Sequence, residues 1–262
     1  EQGGNMVRAW ASTTTIASSS TLLRGLSSVA LDAHGEFFFA CTLDCNLYLV
    51  QYDGLVAELK GTAHPDPVCD IAFPKGYAEC FVTCGGSDVR VWHARTAAEL
   101  LRIQVPKLHC NCVTFPSHGR AILSGWSDGK VRSFGPQSGS LLYVIHEAHK
   151  VVGLGNSSGG DVLDNGVTAL CPSNDGRKLI TGGADGKVRV WAVSKGQQVM
   201  LASMQEHKGP ISSISIKDDD SECVSSSADG SCIVWRLSGA HPYTRLHALV
   251  ANPCFKSAVY SA

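Results

Sequence analysis

The sequence predicts an all-β protein, a β-propeller of four-stranded antiparallel blades, and three observations support this fold class. First, a phrase of the type Val-Arg-Val-Trp recurs, and its copies, some degenerate, end at residues 10, 50, 92, 134, 191 and 235. Second, short segments of alternating polarity are separated by turn clusters of Gly, Asn and Asp. Third, the intervals between these segments leave no room for crossover helices. A repeat of about 40–45 residues that ends in Trp is typical of a propeller blade.

The blade that ends at Trp191 shows how each element is predicted. Residues 167–171 alternate in polarity and suit the inner strand. Residues 172–176 follow as a turn, because Asn, Asp and Gly tolerate the dihedral angles that turns need. The second, third and outer strands are predicted at 178–181, 187–191 and 197–201. The next blade repeats this plan, with strands at 211–216, 222–225 and 231–235.

A single blade cannot bury both of its faces, so blades stack around a ring. The whole chain, residues 1–262, is therefore predicted to be one propeller domain. It starts and stops in mid-blade, and we expect a fragment of a longer protein whose ring has seven blades.

The composition argues against several classes of protein. Hydrophobic residues make up 44% of the chain and charged residues 17%, so disorder is not expected over most of its length. The net charge of −1 argues against non-specific electrostatic binding to nucleic acid or to a membrane surface. No apolar run has the length of a membrane span. Eleven cysteines, several of them inside predicted strands, indicate buried thiols in a reducing compartment such as the cytoplasm.

Polar residues recur at fixed distances from the repeat Trp. In two blades an Asp lies six residues before Trp, and a Ser or Thr lies four residues before that Asp. With an upstream His, this pattern resembles the WD-repeat family. The resemblance implies a buried hydrogen-bonded chain, which a buried indole and imidazole require. The two predicted sets are His149, Thr181, Asp185 and Trp191, and His207, Ser225, Asp229 and Trp235.

Two other blades depart from the pattern. The blade that ends at Phe134 keeps Ser124, but Phe has no donor, so its hydrogen-bonded chain is predicted to be broken. The blade that ends at Trp92 keeps His64 and Thr83, with a turn one residue shorter.

The recurrence of Ser, His and Asp raises a hydrolase as an alternative. Residues 125–129 match the G-x-S-x-G motif around Ser127, but that motif has meaning only at a strand-to-helix turn. Here it aligns with a hairpin turn of each blade, and the His-Ser-Asp sets recur in separate blades, unlike one active site. Neither the cysteine spacing nor the Gly-rich segment 153–160 fits a zinc or phosphate site. The sequence predicts a binding protein, with no catalytic residue, metal, cofactor or small-molecule substrate.

One interval between repeats is longer than the others by about 14 residues, which are best placed at 151–164. Insertions in repeat proteins map to loops on one face and often mark the binding face. Apolar residues on a surface loop are expected at a partner contact. A functionless expansion is the alternative, since loops tolerate insertions. The candidate partner-binding residues here are Val151, Val152, Leu154, Val162 and Leu163.

Trp126 falls in the predicted turn where other blades have Gly183 and Ser226. That turn shares a propeller face with the insert. An exposed Trp is a favoured interface anchor, so Trp126 joins the candidates for partner binding. A Trp folded over the central channel is the alternative.

Blade-specific phrases narrow the resemblance further. They include residues 68–74, 88–93 and 127–136, where Phe134 replaces Trp and Pro136 follows two residues later. These phrases resemble a family of cilia- and flagella-associated WD-repeat proteins. The resemblance implies a non-enzymatic structural protein of motile axonemes, with two tandem propellers inside doublet microtubules near the inner junction. The implied partners are tubulin and other inner-junction proteins. The alternative is a general scaffold or adaptor that presents a peptide-binding propeller face in a soluble complex.

Overall fold

The computed structural model describes residues 25–32, 36–51, 56–77, 79–150, 166–194 and 197–250. Twenty β-strands lie in this part of the chain and form five four-stranded antiparallel sheets, each with its strands in chain order. Each sheet is one blade, and the predicted all-β propeller of four-stranded blades is confirmed. No helix among the described residues is long and apolar enough to span a bilayer.

In each blade the inner strand comes first and the outer strand last. Blade 1 consists of β1 (Leu26–Leu31), β2 (Phe37–Thr42), β3 (Asn46–Gln51) and β4 (Ala57–Thr62). Blade 2 consists of β5 (Val68–Ala72), β6 (Cys80–Gly85), β7 (Asp88–His93) and β8 (Glu99–Gln104). Blade 3 consists of β9 (Cys110–Thr114), β10 (Ile122–Trp126), β11 (Val131–Phe134) and β12 (Leu141–Ile145). Blade 4 consists of β13 (Val167–Pro172), β14 (Lys178–Gly183), β15 (Val188–Ser194) and β16 (Gln197–Met204). Blade 5 consists of β17 (Ile211–Ile216), β18 (Glu222–Ser227), β19 (Ser231–Arg236) and β20 (Arg245–Val250).

The recurrent phrases coincide with the third strands β3, β7, β11, β15 and β19. The copy that ends at Trp10 lies outside the described residues. Two second strands run two residues further than predicted, because Gly183 still pairs with Val167 and Ser227 with Ile211. Five blades are described, and the seven-bladed ring stays a prediction.

Neighbouring blades pack face to face through apolar side chains. Phe39 of blade 1 stacks on Phe81 of blade 2 with ring centroids 4.1 Å apart, and Phe81 lies 6.4 Å from the Trp92 ring. Between blades 3 and 4, Leu123 and Trp191 share one buried cluster. Each blade therefore buries its faces by stacking on its neighbours, as the repeat pattern requires.

Polar side chains on the inner strands connect successive blades, and we call this line of contacts the inner seam. Asp70 of β5 accepts hydrogen bonds from Ser28 Oγ of blade 1 at 3.4 Å and from Val113 N of blade 3 at 3.0 Å. Asn111 Nδ2 donates to the carbonyl of Val167 in blade 4 at 2.9 Å. Thr168 Oγ1 donates to the carbonyl of Ile211 in blade 5 at 2.6 Å. The seam thus joins all five described blades beside a polar central cavity of about 410 Å³.

Candidate functional site

The structure brings the four residues of the first predicted set together in blade 4. Thr181 Oγ1 accepts the indole N–H of Trp191 at 3.1 Å and lies 2.8 Å from His149 Nε2. His149 Nδ1 lies 2.8 Å from Asp185 Oδ1. Nδ1 also lies 2.7 Å from Arg189 Nη1, so it faces both a carboxylate acceptor and a guanidinium donor. The chain of bonds therefore runs unbroken from Trp191 to Asp185.

Burial sets the protonation states of this set. It lowers the pKa of His149, so the imidazole is neutral at physiological pH. Burial alone would raise the pKa of Asp185, but the hydrogen bond from His149 and the charge of Arg189 hold it well below its usual range. Arg189 Nη1 donates to Asp185 Oδ2 at 3.0 Å. These groups satisfy one another, and none is poised as a general base.

The second set, in blade 5, differs in one link. Ser225 Oγ accepts from Trp235 Nε1 at 2.8 Å and lies 2.7 Å from His207 Nε2. However, His207 Nδ1 lies 3.8 Å from Asp229 Oδ1 and only 2.6 Å from Ser231 Oγ, which itself donates to Asp229. Ser231 therefore bridges the His and the Asp. Sequence reasoning missed this residue, although its place four residues before Trp was a usable signal.

Blade 2 holds a shortened version of the set. Thr83 Oγ1 accepts from Trp92 Nε1 at 2.8 Å and lies 2.7 Å from His64 Nε2. The residue six positions before Trp92 is Gly86, so no Asp extends the chain from there, and Asp88 pairs with Arg90 at 2.7 Å. His64 Nδ1 is buried without a hydrogen-bond partner among the described residues, and burial lowers the pKa of His64 to about 4.

Trp126 is not the exposed anchor that its predicted turn position suggested. It is the last residue of β10, its accessible surface is 0%, and its Nε1 donates to Ser124 Oγ at 2.8 Å. Strand register makes it equivalent to Gly183 of blade 4 and to Ser227 of blade 5, one residue beyond the predicted Ser226. The expectation that the Trp126 ring is exposed is therefore wrong.

The buried indole occupies the space that a histidine fills in other blades. A Cβ built on Gly183 would lie 2.1 Å from His149 Nδ1, so a side chain at this position enters the histidine's place. In blades 2 and 5 the histidine stands four residues before the inner strand, and blade 3 has Pro106 there. Trp126 therefore replaces the missing ring and gives Ser124 the donor that Phe134 lacks. The chain predicted to be broken at Phe134 thus keeps an indole donor for Ser124, while Asp128 pairs with Arg132 instead of a histidine.

The motif around Ser127 does not form a nucleophile elbow. Residues 127–130 connect two antiparallel strands, β10 and β11, and no helix follows. Ser127 Oγ accepts the backbone N–H of His109 at 3.1 Å, while Asp128 is paired with Arg132 at 2.7 Å. This Ser is engaged in fixing a turn, which is a structural use of its hydroxyl.

The cysteines of the described strands are free thiols, and several lie in the core. Burial raises the pKa of Cys41 to about 12 and that of Cys223 further, so these thiols stay protonated. Within the described ranges, no group of His, Cys, Asp and Glu could hold a metal ion.

The five apolar candidates of the insert, Val151, Val152, Leu154, Val162 and Leu163, lie outside the described residues. Its two flanks are described. Lys150 N lies 3.4 Å from Asp185 Oδ2, and the carbonyl of Gly166 accepts the N–H of Ala184 at 2.9 Å. Both flanks therefore contact the same turn of blade 4.

Comparison with known proteins agrees with this architecture. The family model "WD domain, G-beta repeat" of the WD40 family matches residues 102–134, 145–192 and 198–236. The chain is 44% identical over 238 residues to cilia- and flagella-associated protein 52 of Chlamydomonas reinhardtii, covering 90% of this chain and 36% of the relative. It is 38% identical over 236 residues to the Homo sapiens protein of the same name, covering 90% and 35%. A guanine nucleotide-binding protein subunit beta of Solanum tuberosum is 27% identical over 183 residues, covering 68% and 46%. The chain thus spans about a third of the length of its ciliary relatives.

Proposed function

Because this chain belongs to the WD40-repeat proteins and is similar to cilia- and flagella-associated protein 52, we propose that it is a structural protein of motile cilia and flagella. It binds tubulin and inner-junction proteins inside axonemal doublet microtubules. The observation that supports this most is the 44% identity, over 90% of the chain, to a relative whose name places it in cilia and flagella. The proposed partners are those that the family resemblance implies, and the blade-specific phrases that carry this resemblance include Phe134 and Pro136.

A non-enzymatic role is supported by how the polar residues are used. Within each blade, the polar groups of the His, Ser or Thr, Asp and Trp set form hydrogen bonds with one another. Ser127 accepts a backbone hydrogen bond in a turn. Buried and satisfied groups of this kind stabilise a fold and leave the surface for partners. The propeller is a rigid body with seven blades in the full ring, and its partner contact includes the insert at 151–164.

The adaptor role in a soluble complex is the second candidate. The outer strands favour it, because they expose apolar side chains such as Leu59, Leu141 and Met200. Exposed apolar edges mark protein interfaces, but they do not identify the partner.

Cross-linking mass spectrometry on intact axonemes tests the proposal. The probe position is Lys150, next to the insert, and the control is Lys75, in the β5–β6 turn. Turns alternate between the two ends of an antiparallel sheet, so these lysines lie on opposite propeller faces. We expect links from Lys150 to tubulin or an inner-junction protein, and none to tubulin from Lys75.

Recovery of the chain only in the detergent-soluble fraction of cilia would contradict the axonemal role. Links from Lys75 to tubulin with none from a well-sampled Lys150 would keep that role but move the contact to the opposite face.

A further inference from the structure

Each outer strand carries a β-bulge where it pairs with the third strand. In blade 3, Ser133 pairs with Tyr143 and Phe134 with Leu141, which leaves Leu142 as the extra residue. The same register jump occurs in blades 2, 4 and 5, while in blade 1 the jump comes two residues earlier on the third strand. The extra residue is Lys60 in blade 1 and a leucine in the next four, namely Leu100, Leu142, Leu201 and Leu246. A β-bulge changes the direction in which a side chain points. The repeated leucine is therefore a repeated feature of the outer edge of the propeller.

Three of these leucines are exposed, with 57% of Leu100, 52% of Leu142 and 42% of Leu201 accessible. Leu142 lines a groove of about 370 Å³ between blades 3 and 4, which we call the blade 3–4 groove. Its other apolar walls include Leu123 and Leu179. A concave site of this size with apolar walls is suited to an inserted side chain.

The described lining of the blade 3–4 groove holds no acidic residue, and Arg120 is the cation that it presents. Lys178 also lines the groove, but its ammonium donates to the carbonyl of Leu237 in blade 5 at 3.3 Å. Arg120 is exposed and forms no ion pair in the described part of the chain. The corresponding groove between blades 2 and 3 differs, because Glu79 lies in its wall.

The outer strand beside this groove, β12, also lacks the charged residues that usually keep an edge strand from pairing with other chains. β8 has Glu99 and Arg102, but β12 (Leu141–Ile145) has no charged residue. An apolar edge next to Arg120, which has no ion pair among the described residues, is complementary to a chain segment that is apolar and acidic.

We propose that the blade 3–4 groove binds an extended segment of a partner protein in which an apolar side chain stands next to a carboxylate. The apolar side chain enters between Leu142 and the Leu123 and Leu179 wall, and the carboxylate pairs with Arg120. Charge complementarity selects this partner over a basic one, and a carboxylate can form two parallel hydrogen bonds with an arginine. The inference holds wherever in the cell the protein works.

Selection from a phage-displayed library of short random peptides tests the site. The purified chain is the target, and the best peptide is synthesised with a fluorescent label for anisotropy titration. We expect selected peptides to contain Asp or Glu beside an apolar residue. Arg120→Glu and Leu142→Ser should each weaken binding by about tenfold or more, as for the central contacts of other interfaces.

Two matched variants serve as controls, because they change the same residue types at exposed positions outside the groove. Arg95→Glu and Leu59→Ser should leave the affinity within about twofold of the wild type, as peripheral contacts do. Circular dichroism checks that all four variants fold. The proposal fails if no peptide is selected, if the selected peptides lack acidic residues, or if they bind all four variants equally. A concentration-dependent dimer that Leu142→Ser abolishes would assign the groove to a second copy and also overturn it.

Discussion

The indole N–H of Trp126 donates to Ser124 Oγ at 2.8 Å, although the two residues stand two positions apart on the same strand and the blade lacks its terminal Trp. In blades 2, 4 and 5 the equivalent hydroxyl receives its hydrogen bond from the Trp of the third strand. Blade 3 therefore keeps the hydrogen bond but takes the donor from a different strand. This exchange explains how Phe134 is accommodated without leaving the buried Ser124 hydroxyl short of a donor.

Trp126→Phe is expected to destabilise the fold by about 1–2 kcal/mol, because the buried Ser124 hydroxyl loses one hydrogen bond. Urea unfolding followed by circular dichroism measures the change. Trp92→Phe is the matched control, since its Nε1 donates to Thr83 at the same distance of 2.8 Å. Equal stability of Trp126→Phe and wild type, with a loss in Trp92→Phe, would show that the Ser124 bond contributes nothing.

His64 is expected to make the fold less stable as pH falls. Burial and the charge of Arg90 lower its pKa from 6.5 to about 4. Between these values the unfolded chain takes up a proton that the folded chain does not, so the stability present above pH 6.5 is lost on acidification. The loss for this one group is about 3 kcal/mol across the window.

His64→Asn tests this dependence, because the amide cannot titrate. Urea unfolding at several pH values between 7.5 and 4 should give a smaller fall in the free energy of unfolding for the variant than for the wild type. Parallel curves for the two proteins would mean that His64 titrates with an ordinary pKa.

Ser231→Ala is expected to destabilise blade 5 by about 1 kcal/mol, because it removes the bridge between His207 and Asp229. Lys187→Ala in blade 4 is the matched control, since Lys187 stands at the equivalent place before Trp191 while His149 reaches Asp185 directly. Thermal unfolding compares the two variants. If Lys187→Ala costs as much as Ser231→Ala, the bridge is not what stabilises the set.

Gly183→Ala is expected to cost about 1–3 kcal/mol, because a Cβ there would lie 2.1 Å from His149 Nδ1 and the ring would have to shift. Gly25→Ala is the control, where the nearest contact of a Cβ is 3.4 Å away. Chemical unfolding measures both. A neutral Gly183→Ala would show that the histidine ring has room to move.

The repeat pattern predicted the strands well because the Trp spacing and the turn residues act locally. The third strands lie where the spacing placed them to within a few residues, since β15 is Val188–Ser194 against the predicted 187–191. The His, the Thr or Ser and the Trp of blades 4 and 5 come together as predicted. Period-two alternation and turn chemistry are properties of short segments, so one chain is enough to detect them.

The features that sequence reasoning missed depend on contacts between distant segments. The burial of Trp126 depends on Pro106 standing in a loop about twenty residues earlier, where other blades supply a histidine. Ser231 becomes a bridge only because His207 sits slightly too far from Asp229. The bulge at Leu142 follows from pairing register, which residue spacing alone does not give.

The replacement of a histidine by Trp126 has an evolutionary consequence. A blade that acquired Trp at this position while keeping its histidine would hold two rings in one space, and a blade that lost its histidine first would hold a void. Positions 106 and 126 are therefore expected to covary among relatives, with a bulky ring at one of them but not at both. A sequence alignment of the ciliary relatives would show whether the two changes occur together.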